Sequence, residues 1–212
     1  IIILRQLLLS FIYYEDYVMS KTSKATRNRI VNTAWKLFYE QGYDDTTIDD
    51  IIEAAHISRG SFYHYFDGKD ALIGGITYLF DDAYDEICAH LDSNLSPIEK
   101  LLTLTQESFF MIENTVPVHL LSKIMSSQLA GSSDSSLLNP DRTYFKVIRQ
   151  IVTEGKEKQV FKESYSVNEI VVAYALFERG LMYDWCISNG NYSFSRYSRN
   201  MMKIFLTGFT VV

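Results

Sequence analysis

Apolar residues recur along this chain at helical intervals, and nowhere in the strict alternation of a half-buried strand. Ile30, Val31, Ala34, Leu37 and Phe38 share one broad face, which predicts a helix over residues 24–41 that stops at Gly42. Ile48, Ile51, Ile52 and Ala55 repeat at i, i+3, i+4 and i+7 and predict a second, with Thr47 as its cap and Asp50 placed as the partner in a capping box. The pattern breaks after Ala55. Ser58 is a second candidate cap, and Phe62 and Phe66, four apart, mark the inner side of a third helix. A helix of about eight residues does not persist alone in water, so this one must be held by its neighbours.

Asp67-Gly68 turns the chain into a long helix expected from Lys69 to Asp92. Further helices are expected over 96–114, 117–130, 141–159, 166–189 and 193–210, with a Ser-rich loop at 131–140 and a break at Gly190-Asn191. With no internal repeat and no low-complexity tract, the expected fold class is all-α.

The outward side of the third helix carries Arg59, Gly60, Ser61, Tyr63 and His64. Such a face suits a DNA major groove, which admits a helix and is read mainly by residues near its N-terminal end. Arg59 can fork onto guanine, while Gly60 and Ser61 let the backbone approach the bases, so Ser58 to Ser61 are placed near base edges. Thr47, Tyr63, His64 and Lys69 are placed at phosphates, with Lys69 opening the next helix where free N–H groups favour an anion.

Residues 24 to 70 resemble the DNA-binding domain of TetR-type transcriptional regulators. The resemblance rests on Gly42-Tyr43, Thr46-Thr47, Ile51 to Ala55, the run Ser58-Arg59-Gly60-Ser61-Phe62-Tyr63-His64-Tyr65-Phe66, and Lys69, which agree in order and without gaps. Two positions depart from the pattern. His56 stands where the family usually has Gly, at a turn that calls for positive φ, and Tyr65 stands where His is commoner. The domains expected are an N-terminal three-helix helix-turn-helix DNA-binding domain at 19–68 and an α-helical ligand-binding and dimerisation domain at 69–212.

Charge changes this picture only locally. The chain of 212 residues is 47% hydrophobic and 22% charged, an ordinary globular composition, and its net charge of −6 disfavours a polyanionic partner at first sight. Yet Lys21, Lys24, Arg27, Arg29 and Lys36 fall in a stretch without Asp or Glu, a basic run leading into the helix-turn-helix, with Arg27 a further DNA-contact candidate. Cys88 and Cys186 have no metal-ligand spacing and fit a reduced, cytoplasmic protein. Residues 1–18 begin with an apolar run too short to span a bilayer, lack the marks of a signal peptide and precede Met19, so they are expected to be an upstream or non-native extension.

The last two helices carry more apolar surface than one packed side requires. Ile170, Val171, Tyr174, Phe177, Leu181 and Trp185 lie on one, and Tyr197, Met201, Ile204, Phe205 and Phe209 on the other; Gly180 and Gly208 allow close crossing. An isologous homodimer through a four-helix bundle answers this, with Phe177, Leu181, Trp185, Tyr197, Met201, Ile204 and Phe205 at the interface. Two reading helices would then enter successive major grooves of a pseudo-palindromic operator. The resemblance further implies a small-molecule pocket among the C-terminal helices, for which Tyr78, His90, Glu107, Phe110, His119, Met125 and Tyr144 are candidates, and a hydrophobic or aromatic effector.

No Gly-rich phosphate loop, His-Glu-x-x-His or nucleophile elbow is present, and His56, His64, His90 and His119 show no metal-ligand spacing. No enzyme activity, cofactor, metal or membrane partner is therefore expected. The function expected is a ligand-responsive TetR-type regulator, most often a repressor in that family. A TetR-like regulator controlled by a protein partner, an activator, and a helical binding protein without DNA recognition stay open.

Overall fold

The computed structural model describes residues 23–73, 76–129 and 138–211. The extension at 1–18 and most of the loop expected at 131–140 lie outside the described residues. Described are α1 (Ser23–Gln41), α2 (Ile48–Ala54), α3 (Arg59–Tyr65), α4 (Lys69–Ile73), α5 (Ile76–Ala89), α6 (Pro97–Thr115), α7 (Val118–Leu129), α8 (Thr143–Glu157), α9 (Val167–Ile187) and α10 (Phe194–Thr207). Among the described residues the one extended pairing is an isolated bridge between Phe161 and Thr210. The fold is all-α, as the periodicity predicts. The long helix expected from Lys69 is described as α4 and α5, with residues 74–75 outside the description.

The helices gather into two compact units. The first draws on residues up to Ile76 and on Thr115–Ser136, so α7 groups with the helix-turn-helix; the second draws on Thr77–Asn114 and Leu137–Val212. In the first unit, Ile30, Ala34 and Phe38 of α1 meet a core completed by Ile51, Ala55, Phe62 and Phe66. Removing a side chain of the size of Phe62 from water supplies about 1.5–3 kcal/mol, and such burial is what keeps the seven-residue α2 and α3 helical. Trp35 adds a fixed tie by donating its indole N–H to the Leu72 carbonyl at 3.2 Å.

In the second unit, α9 packs on both α8 and α10. Lys100 of α6 is buried and reaches Glu154 of α8 at 2.8 Å. Gly155 of α8 leaves room for the Phe161 ring: a Cβ there would stand 2.3 Å from Phe161 Cε2 and 3.2 Å from Pro97 Cβ. Ser166 caps α9 in a capping box with Glu169. Ser193 makes no such cap for α10; Glu113 of α6 instead accepts from the Ser195 backbone N–H at 3.1 Å and its hydroxyl at 3.0 Å. Cys88 and Cys186 are free thiols.

Candidate nucleic-acid interface

The two caps read from the sequence form. Thr47 Oγ1 accepts from the Asp50 backbone N–H at 3.1 Å, and Ser58 Oγ from that of Ser61 at 3.0 Å. Between them, His56 adopts φ 51°, the left-handed conformation for which Gly is the ordinary residue. With Phe62 and Phe66 buried, α3 turns the rest of itself outward: Ser58, Arg59, Gly60 and His64 are exposed, Tyr63 is 46% exposed, and Ser61 is half-buried. Tyr65 is half-buried against His64, their rings 4.8 Å apart. A Cβ at Gly60 would meet only Ser58 Oγ, at 4.0 Å, so the protein's own packing leaves room for a side chain there.

Several donors assigned to phosphate are engaged within the protein. Thr47 donates its backbone N–H to Asp50 Oδ2 at 2.8 Å and its hydroxyl to the same oxygen at 2.7 Å, bonds that hold the Asp50 carboxyl below the usual carboxylate range. Lys69 turns inward. Its ammonium donates to the carbonyls of Tyr43 at 2.7 Å and Thr46 at 2.8 Å, and lies 4.3 Å from the centre of the Tyr43 ring. That corrects its placement as an open phosphate contact: ammonium N–H donors facing these two carbonyls make Lys69 a clamp on the loop leading into α2. Arg27 is half-buried, with its guanidinium 5.3 Å from the centre of the Phe66 ring. Arg59 is ion-paired with Asp49 of α2.

A second cluster around the same loop ties in α7. Lys123 pairs with Asp44 and sits 4.5 Å from the Tyr43 ring centre, so two ammonium groups lie against the Tyr43 ring. The Tyr43 hydroxyl donates to Asp70. Burial, and then Asp70, push its phenol well above the ordinary range.

The candidate effector residues fare unevenly. Tyr78 has a side chain outside the described residues. His90 is exposed at the end of α5, its Nδ1 2.9 Å from the Glu86 carbonyl, and His119 is exposed near Asp44, so neither ring is enclosed as a pocket residue should be. Met125 is half-buried in the first unit, and Glu107 and Phe110 are half-buried in the second. Tyr144 is buried and donates to Glu178 Oε2 at 2.7 Å.

That bond opens onto a buried polar cluster. Thr105 Oγ1 lies 2.9 Å from Glu178 Oε1 and 2.5 Å from the Tyr174 hydroxyl, which donates to the Leu101 carbonyl at 3.0 Å. Burial pushes the Glu178 carboxyl up to about 7, against hydrogen bonds from Tyr144, Thr105 and Tyr174 that pull it down. A protonated Glu178 completes a donor chain through Thr105 and Tyr174 to the Leu101 carbonyl. Glu178 escaped notice in the sequence, although its place on the stripe Ile170, Tyr174, Leu181 and Trp185, at helical spacing, is the signal for it.

On α9 and α10 the apolar surface divides differently from expectation. Ile170, Val171 and Tyr174 are core, and Trp185, 4% exposed, stacks on Phe194 and donates to the Tyr192 carbonyl at 3.0 Å. Trp185 is therefore corrected from interface to protomer core. Leu181, Phe177, Tyr197, Met201 and Phe205 line an open groove of about 550 Å³, with Phe177 and Phe205 stacked at 4.4 Å. Ile204 is 65% exposed, and outward apolar residues that the sequence reading omitted include Val172, Leu176, Tyr183 and Ile187.

Among the described residues no helix is long and apolar enough to cross a membrane. The sequence profile of "Bacterial regulatory proteins, tetR family" matches residues 30–76, the span of the helix-turn-helix and α4. The HTH-type transcriptional regulator YuxN of Bacillus subtilis is 31% identical over 101 residues, which are 46% of this chain but only 35% of that protein. The biofilm operon icaADBC negative transcriptional regulator IcaR of Staphylococcus aureus is 26% identical over 141 residues, 66% of this chain and 75% of IcaR. In structure, Thermus thermophilus FadR, a TetR family repressor in complex with lauroyl-CoA, superposes with a TM-score of 0.65 at 22% identity, covering 88% of this chain and 96% of that one. The helix-turn-helix at residues 30–76 thus matches the TetR family of bacterial regulatory proteins in sequence, and most of the chain's length is similar in fold to solved TetR-family regulators.

Proposed function

We propose that the chain binds a pseudo-palindromic DNA operator as a homodimer in the cytoplasm, represses the genes beside it, and is released by a small, largely apolar effector. The observation that carries this reading is α3: apolar side chains anchor one face, and Arg59, Gly60, Tyr63 and His64 are exposed on the other. The unpartnered apolar residues of α9 and α10 support the dimer. IcaR, a negative regulator by name, supports repression, and the lauroyl-CoA complex of the FadR neighbour supports an apolar effector. A ligand shifts the equilibrium only if it prefers the conformation that does not fit DNA.

The test is fluorescence anisotropy with the DNA upstream of the chain's own gene, across a salt series. Specific binding whose log K falls with log salt, with a slope near −0.9 per neutralised phosphate, is expected. Failure of the wild-type protein to bind at low salt any better than unrelated duplex defeats the proposal. Long-chain acyl-CoAs and small aromatic compounds, added to the bound complex, test the effector class by release.

A further inference from the structure

Arg59 opens α3, and its Nη2 is ion-paired with Oδ1 of Asp49, in the first turn of α2. The two side chains are 62% and 70% exposed, so the pair stands on the surface that carries the outward face of α3. Exposed ion pairs contribute little to folding, and these two helices already have their caps and apolar anchors. Its consequence lies in what Arg59 meets on DNA. A guanidinium has five N–H donors, and the bond from Nη2 leaves the rest of the fork free. A guanine edge offers the neutral acceptors O6 and N7, which the free part of the fork can take while Asp49 stays in place. A phosphate competes for Arg59 as an anion of the same kind as Asp49, and its charge repels that carboxylate.

We infer that Asp49 is a specificity-determining residue of the DNA-reading surface: it holds Arg59 for base readout and disfavours the transfer of Arg59 to phosphates. The inference rests on the proposed role of α3 as the DNA-reading helix. Asp49 weakens non-specific association more than specific association, because phosphate contact supplies essentially all of the former. Asp50 has no such part, since Thr47 occupies its carboxylate in the capping box.

The experiment compares wild type, D49N, R59A and D49N/R59A, each with two duplexes: one selected from a randomised pool by the wild-type protein, and one of unrelated sequence. D49N is expected to bind the unrelated duplex about two- to fivefold more tightly, with no gain on the selected one, so that the specificity ratio falls by the same factor. In the R59A background D49N should leave the ratio unchanged. An unchanged or higher ratio in D49N overturns the inference, as does an equal fall with and without Arg59, which would be the effect of net charge alone. If the wild-type protein enriches no sequence from the pool, the DNA-reading role fails, and this inference with it; enrichment followed by an unchanged ratio defeats Asp49 only.

Discussion

His56 carries the one backbone strain that the reading unit shows between its two short helices. An L residue in the left-handed region costs roughly 1–2 kcal/mol, less for the polar types that tolerate it, and Gly avoids the cost while giving back some of the gain through a freer unfolded chain. His56→Gly is therefore expected to raise stability by up to about 1 kcal/mol, read as a higher urea midpoint with unchanged slope. A lower midpoint would mean that the imidazole itself supports the turn. The position and sign of φ were legible from sequence, since the turn after Ala55 requires them. The role of Lys69 was not. A lysine that opens a helix looks the same whether its ammonium faces a phosphate or, as here, the carbonyls of Tyr43 and Thr46.

At the scale of the element, α9 joins two neighbours, α6 and α8, through one buried carboxyl. Glu178 has its pKa raised from 4.5 in the unfolded chain to about 7 in the fold, so the folded state holds the proton more tightly. The contribution to stability is full below pH 4.5 and is lost as pH rises towards 7, beyond which it stays lost. Glu178→Gln keeps a neutral donor beside Thr105 and should flatten that fall: chemical denaturation at pH 5 and pH 8 is expected to show the variant losing less than wild type, by at most about 3 kcal/mol. Equal pH dependence of the two proteins would rule out a titrating Glu178. The helices themselves follow from apolar spacing. The cap of α10 does not announce itself, because Glu113 supplies it from α6.

At the scale of the whole molecule, Leu176, 57% exposed, and Ile204 belong to the apolar surface on α9 and α10 through which the homodimer is proposed. Sedimentation of the wild-type protein is expected to give about twice the 24.5 kDa of one chain, and Leu176→Asp with Ile204→Asp about one. The double variant should also lose most of its operator affinity, since two half-sites one helical turn apart need two linked readers. A double variant that sediments with wild type would place the interface elsewhere. From sequence the two helices were identifiable as surplus in apolar residues, yet their inner and outer faces were not separable. Trp185 proved to be core, while Val172, Tyr183 and Ile187 face out.

By itself the sequence determined the all-α class, the extent of most helices, the caps at Thr47 and Ser58, and the helix-turn-helix, because these depend on spacing and on bonds within a few residues. Only the tertiary structure decided that α7 joins the reading unit, that Lys69 is enclosed by its loop, that Asp49 holds Arg59, and that Glu178 lies among three hydroxyls. Each of these joins residues from different helices or from a helix and a distant loop. The free energy of such contacts depends on which faces meet, and periodicity along one helix cannot specify its partner.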